Sequence, residues 1–229
     1  MVSGFLILLL TTVAILPEVK SVAKLAEPGE FPFIAIITAN NNVTTFGVLI
    51  SANEVVAASI NIPIPPQIIT IQFGCIFLNN CNTPKFLVER LEMDRRVNIF
   101  RMKLSNNTHH IAPIPRGPSQ NYDSYSCKFV GSDLNSRRIL SLDVIPINKD
   151  DCLKVGMTIF PDQQCFEDPS LSHEFNWGDV GGPVICHGFL IGLLSANSRL
   201  TQNIQFMYDL TRRRRQSKEF LRMPYRILG

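Results

Sequence analysis

From Phe31 onward the chain reads as short apolar or alternating runs separated by turn residues. Phe31–Thr38, Thr45–Ile50, Glu54–Ser59, Ile68–Phe73, Phe86–Leu91 and Asn98–Leu104 have strand length and many β-branched or aromatic side chains, the types that suit a pleated, half-buried surface. Asn40-Asn41-Asn42, Asn79-Asn80 and Asn106-Asn107 read as the loops between them, since asparagine bonds its own backbone and tolerates left-handed conformations. Pro63, Pro65 and Pro66 bar a regular helix. Pro113, Pro115, Gly117 and Pro118 mark a crossing segment, so a linker is expected over about 113–121. Beyond it come Ser126–Gly131, Arg138–Pro146, Met157–Phe160, Pro183–Cys186, Phe189–Ser195 and Ile204–Asp209. Strands at this spacing, with no helices alternating between them, predict an all-β sandwich or barrel. Tyr208–Met223 alone reads as helix, with Leu210, Phe220 and Leu221 as apolar anchors and Pro224 as its stop.

Composition adds the compartment. At 229 residues, 45% apolar and 18% charged, the chain suits a globular fold of one large domain or two half-domains. Residues 1–16 are uncharged, and Phe5–Leu16 form a mainly apolar stretch of twelve, too short to span a bilayer but suited to a signal-peptide core. Residues 1–23 are therefore expected to be a signal peptide, with small residues permitting cleavage after Ala14 or after Ala23. No other apolar run is long enough for a membrane helix, so a secreted protein with no membrane span is expected. Cys75, Cys81, Cys127, Cys152, Cys165 and Cys186 make an even set, which behind a signal peptide reads as three disulfides among fifteen possible pairings. No Cys-x-x-Cys, His-x-x-x-His or acidic cluster suggests a metal, and no cofactor motif stands out. Asn42 and Asn106 head glycosylation sequons.

The net charge of +3 is unevenly placed: from Asp209 onward seven basic residues face two acidic ones, leaving the rest net negative. Arg212, Arg213, Arg214 and Arg215 read first as a solvated face, and second as a contact for a polyanion. Nothing points to nucleic acid.

The most informative stretch is Gly178-Asp179-Val180-Gly181-Gly182-Pro183-Val184-Ile185-Cys186. Clustered glycines let the backbone turn sharply and aim successive N–H groups at one point. The stretch resembles the nucleophile loop of the trypsin-like, chymotrypsin-fold serine proteases (peptidase family S1), Gly-Asp-Ser-Gly-Gly-Pro, with Val180 at the serine. Further stretches resemble the same family in the same order. Pro28–Phe33 is similar to the entry into the first barrel, and Val55–Ile60 to the run ending Ala-Ala-His-Cys, with Ser59 at the histidine. Asn98–Leu104 is similar to Asp-Ile-Ala-Leu-Ile-Lys-Leu, with Asn98 at the aspartate, and Leu190–Ser195 to the strand lining the substrate groove.

The resemblance implies two packed, antiparallel six-stranded β-barrels, about 28–112 and 122–208, with a C-terminal α-helix over about 208–223. It implies bridges Cys127–Cys186 and Cys152–Cys165, leaving Cys75 and Cys81 to close a short loop. The family's bridge between the positions of Thr45 and Ile60 is absent at both ends. Acyl transfer in this family needs a hydroxyl nucleophile, an imidazole base and a carboxylate. None of Val180, Ser59 and Asn98 can perform the role of its own position: Val180 cannot attack, Ser59 is no base and Asn98 carries no charge. A pseudoenzyme without catalytic residues is therefore expected.

The N–H groups of Gly178 and Val180, with Asp179 between them, would keep the oxyanion nest as a weak carbonyl-binding hollow. The family's processed terminus, which pairs with the aspartate of this loop, has no counterpart at Lys20–Ala23, so Asp179 is expected to bond backbone N–H groups or water. Glu174 falls at the specificity-pocket floor and Asn197 at a glycine of its wall. Trp177, the only tryptophan, reads first as a core residue and second as an exposed anchor. His109, His110, His173 and His187 read as surface or structural residues. The expected function is binding of an extracellular protease, inhibitor or receptor, as a cofactor or decoy in a proteolytic cascade of immunity or reproductive fluid. The alternatives are a protease with a relocated nucleophile and a secreted structural protein.

Overall fold

Two chains of antiparallel strand pairings, each closing on itself, organise the molecule. A computed structural model gives the architecture, and the structure describes residues 22–40, 42–58, 68–94, 99–123, 125–154, 163–195, 204–211 and 221–223. After a short β1 (Lys24–Leu25) the chain forms β2 (Ile34–Ala39), β3 (Asn42–Ser51), β4 (Glu54–Ala58), β5 (Ile69–Phe73), β6 (Phe86–Asp94) and β7 (Ile99–Leu104). These last six pair in the order β6-β5-β2-β3-β4-β7, and β6 pairs with β7 to close the barrel. The second half forms β8 (Cys127–Ser132), β9 (Ile139–Ile147), the helix α1 (Lys149–Lys154), β10 (Gln163–Glu167), β11 (Pro183–Cys186), β12 (Phe189–Leu194) and β13 (Ile204–Asp209). They pair in the order β9-β10-β13-β12-β11-β8, closed by β8 on β9. The molecule is thus two closed antiparallel six-stranded barrels, as the resemblance implies.

Closure removes the unpaired edges of an open sheet and gives each barrel a filled interior. Ile37, Leu49, Val55, Ile71, Leu91, Phe100 and Met102 fill the first, and Phe129, Leu142, Phe166, Val184, Leu194 and Met207 the second. Val48, Val56, Ala58, Ile99, Ile114, Val180, Leu190, Leu193 and Tyr208 form a third cluster, drawn from both barrels. The crossing segment runs over this seam. The N–H of Ile114 bonds the carbonyl of Leu49 at 3.0 Å, and the N–H of Gly117 that of Leu190 at 2.8 Å.

The disulfides join Cys75 to Cys81, Cys127 to Cys186 and Cys152 to Cys165, with Cα atoms 5.2, 4.4 and 6.3 Å apart. These are the pairs the resemblance implies. No helix among the described residues is long and apolar enough to cross a membrane.

Two local features differ from expectation, and a third is not described. Gln163–Glu167 is a strand that the sequence pattern missed, because two glutamines open it; Gln163 is nevertheless buried, its amide donating to Ser195 Oγ at 3.2 Å. The expected strand Met157–Phe160 lies outside the described residues. The stretch expected as helix, Tyr208–Met223, is strand at both ends. Tyr208 and Asp209 complete β13, where Tyr208 lies opposite Gln163 and Leu193, so the sheet ladder claims their backbone. Leu221–Met223 form β14 against Met93–Leu91 of β6, and residues 212–220 lie outside the described residues.

Candidate functional site

The loop between β10 and β11 approaches the seam between the barrels and turns there through a single 3-10 turn, Trp177–Asp179. Its centre is Asp179, whose side chain is fully buried and has four donors. The Ser132 N–H reaches Oδ1 at 2.8 Å. The Asn176 N–H at 2.9 Å, Asn176 Nδ2 at 2.8 Å and His173 Nε2 at 2.9 Å reach Oδ2. A carboxylate only accepts, so the His173 ring carries its proton on Nε2 in this contact. Gly131 makes room: a Cβ there would stand 2.4 Å from Asp179 Oδ1. The expectation for Asp179 held for the backbone donors and missed the imidazole. His173 sits in the sequence as one histidine among four, with no periodic signal to mark it. Only folding puts its ring, 8% exposed, between Asp179 and Phe175, whose ring centroid is 5.1 Å away.

Val180 follows. Its side chain is 3% exposed and packed in the inter-barrel cluster, while its carbonyl accepts from Thr45 Oγ1 at 2.9 Å. Thr45 thus ties β3 to the loop at the position where the resemblance would put a cysteine. Gly181 then takes φ +84, with Phe46 O 2.7 Å from where a Cβ would lie, so only glycine fits this passage of chain against chain. The Gly181 N–H bonds Leu194 O at 3.0 Å and the Leu194 N–H bonds Gly182 O at 2.8 Å, seating the loop on β12.

The oxyanion nest expected at Gly178, Asp179 and Val180 is otherwise engaged, which corrects the sequence reading. The Gly178 N–H donates to Asn176 Oδ1 at 2.7 Å and the Val180 N–H to Trp177 O at 3.4 Å. Asn176 supplies the reason: its amide caps the 3-10 turn while Asp179 accepts from the Asn176 N–H, a reciprocal capping box. The donors that would face a substrate carbonyl face the loop's own atoms.

The other sequence-derived positions divide. Ser59 and Asn98 lie outside the described residues, but their neighbours Ala58 and Ile99 pair directly across β4 and β7 and share the cluster with Val180. Asn197 and Arg212–Arg215 also lie outside the described residues. Glu174 is solvent-exposed, not set in a buried floor. Trp177 is 64% exposed, so the core placement expected first for it is overturned. Its neighbour Gly178 is held inward by Asn176, and the indole is left outside. Asn42 and Asn106 are exposed, with Thr108 of the second sequon buried and bonded to Ala52 O at 2.9 Å. His109, His110 and His187 are exposed, His187 standing 5.1 Å from the Tyr125 ring. Among the described residues no three His, Cys, Asp or Glu side chains gather as metal ligands.

The two closed barrels, with this loop at their seam, agree with the family sequence model described as Trypsin, which matches residues 22–212. The chain belongs to the trypsin family. Among solved trypsin-like structures it resembles mouse neuropsin, described as a serine protease expressed in the limbic system of the brain. That likeness has a TM-score of 0.70 at 16% identity, covering 82% of this chain and 94% of that one. Human heparin binding protein is similar with TM-score 0.70 at 19% identity, covering 82% of this chain and 91% of that one. At these identities the likeness is one of fold. No match is found among curated protein sequences.

Proposed function

We propose that this member of the trypsin family is a secreted, non-catalytic homologue that works by binding another extracellular protein: a protease, an inhibitor or a receptor. The observation that carries this is Val180. An isopropyl group stands at the nucleophile position, buried among Val48, Val56, Leu190 and Leu193, and hydrocarbon neither attacks an acyl carbon nor gives up a proton. Ser59 and Asn98 at the other two positions add neither base nor counter-charge. The inward use of the Gly178 N–H weighs the same way, because oxyanion donors act only when aimed at the developing charge. Secretion is supported by the signal-like start and the three disulfides.

A fluorophosphonate probe applied to the purified secreted protein tests the catalytic half, with an active trypsin-like protease as positive control. No labelling is expected, and none in Val180→Ser, which lacks a base to activate the new hydroxyl. That variant is expected to lose roughly 2 kcal/mol of stability, because a buried apolar side chain becomes a buried hydroxyl. Stoichiometric labelling of the natural protein would establish a relocated nucleophile instead. Crosslinking in the native fluid, read by mass spectrometry, tests the binding half: one dominant partner is expected, and a scatter of abundant proteins favours a structural role.

A second reading rests on a separate observation. The run Arg212–Arg215 and the structural likeness to a protein named for binding heparin together support polyanion contact. Retention on heparin that survives neutralising all four arginines removes it.

A further inference from the structure

We infer that the His173 imidazole is the positioning residue of the Asp179 loop, a latch built into the fold that fixes the exposed Trp177. The inference rests on the binding reading and refines it by naming what holds Trp177, the most exposed aromatic among the described residues. A fully buried carboxylate must be met by donors on every side, since leaving one lone pair dry costs more than a made bond returns. Three donors to Asp179 come from Ser132 and Asn176, and the fourth is His173 Nε2.

The first described residues lie beside this loop and spend their polar groups on atoms other than Asp179. Val22 is 70% exposed, and the Ala23 N–H is spent on Ser172 Oγ at 2.9 Å, one residue from His173 in sequence. His173 is itself seated: its ring packs on Phe175, and its backbone N–H bonds Asp168 Oδ2 at 3.3 Å. Asp168 is also buried and gathers the N–H groups of Ser170 and Ser172. One buried aspartate thus holds the backbone of His173, while the imidazole bonds a second. Through Asp179 and Asn176 that order passes to the Trp177–Asp179 turn, which presents the indole. A rigid aromatic offered at a protein surface loses little entropy on docking, the property binding anchors share.

The test uses the full chain and needs no partner. Trp177 is the only tryptophan, so its indole N–H gives a single signal in a nitrogen-15 proton correlation spectrum. One sharp signal is expected for the natural protein and for His173→Gln, whose amide N–H also donates. His173→Ala is expected to split or broaden it. In the same variant, amide exchange protection at Ser132 and Asn176 should fall by about tenfold, what one hydrogen bond to a charged acceptor is worth. Transaminating the amino terminus, which removes its ammonium, is expected to change neither readout.

A His173→Ala protein that melts lower but keeps the single indole signal and both protections would overturn the latch, as would sensitivity to transamination. Should His173→Ala fail to fold, the natural protein, His173→Gln and the transaminated chain still decide. These readouts are independent of the probe labelling and crosslinking that test the binding reading. The latch can therefore fail while that reading stands, and the reverse.

Discussion

Asp179 and Tyr122 illustrate how single buried polar groups fix this molecule. Asp179 owes its place to four donors from three residues, Ser132 of β8 and His173 and Asn176 of its own loop. Tyr122, in the segment leading into the second barrel, is buried to 2% and donates from its hydroxyl to Pro118 O at 3.1 Å. Burial, the largest influence, pushes its phenol up from the ordinary tyrosine value, and the nearby Asp209 charge adds to this. A group whose folded value is raised contributes stability that is whole below its unfolded value, about pH 10, and is lost as pH rises through the higher folded value. Tyr122→Phe is therefore expected to cost about 1 kcal/mol at neutral pH through the lost hydrogen bond. It should also flatten the alkaline decline, as measured by urea unfolding at several pH values. An alkaline decline as steep in the variant as in the natural protein would place its origin elsewhere. The identities of both residues are plain in the sequence, but their partners are not. Ser132 and Asp179 are separated by 47 positions, and no local pattern encodes such a meeting.

Among the elements, strands with β-branched or aromatic residues were legible and those with amides were not. β2, β4, β5, β7, β11, β12 and β13 fall within a residue or a few of where alternation puts them. β10 escaped because Gln163 and Gln164 break the apolar pattern, although Cys165 and Phe166 beside them are fully buried. α1 escaped because six residues carry too little periodicity; its start is marked only by Asn148, whose Oδ1 accepts from the Asp151 N–H at 2.9 Å. The Cys152–Cys165 bridge joins these two overlooked elements, packing on Phe206. Replacing both cysteines by alanine is expected to cost about 3 kcal/mol, the usual value for a loop of this length. The effect should appear first as faster amide exchange in β10, while β2–β5 keep their protection. A loss spread evenly over both barrels would mean that the bridge acts on the whole fold instead.

At the scale of the whole molecule, each end of the described chain belongs to the opposite barrel. β1 precedes the first barrel yet pairs with β9 of the second, Lys24 opposite Ser141 and Leu25 opposite Leu140. β14 follows the second barrel yet pairs with β6 of the first. Such exchange makes each barrel a support for the other's terminus. Deleting residues 221–229 is expected to reduce exchange protection at those amides of Leu91–Met93 that face β14, and to leave β8–β13 unchanged. Unaltered protection along β6 would show that the added strand contributes nothing to the barrel. The seam between the barrels also holds the candidate site, since Ala58, Ile99 and Val180 share one apolar cluster there.

The sequence alone determined what depends on residue type and near neighbours: the strand-rich architecture and the family likeness. Tertiary structure decided what depends on distant groups meeting. It gave Asp179 an imidazole, turned the Gly178 N–H onto Asn176, and left Trp177 outside. The physical reason is that a strand's periodicity is written along the chain, whereas a buried charge is satisfied by whichever donors the fold carries to it.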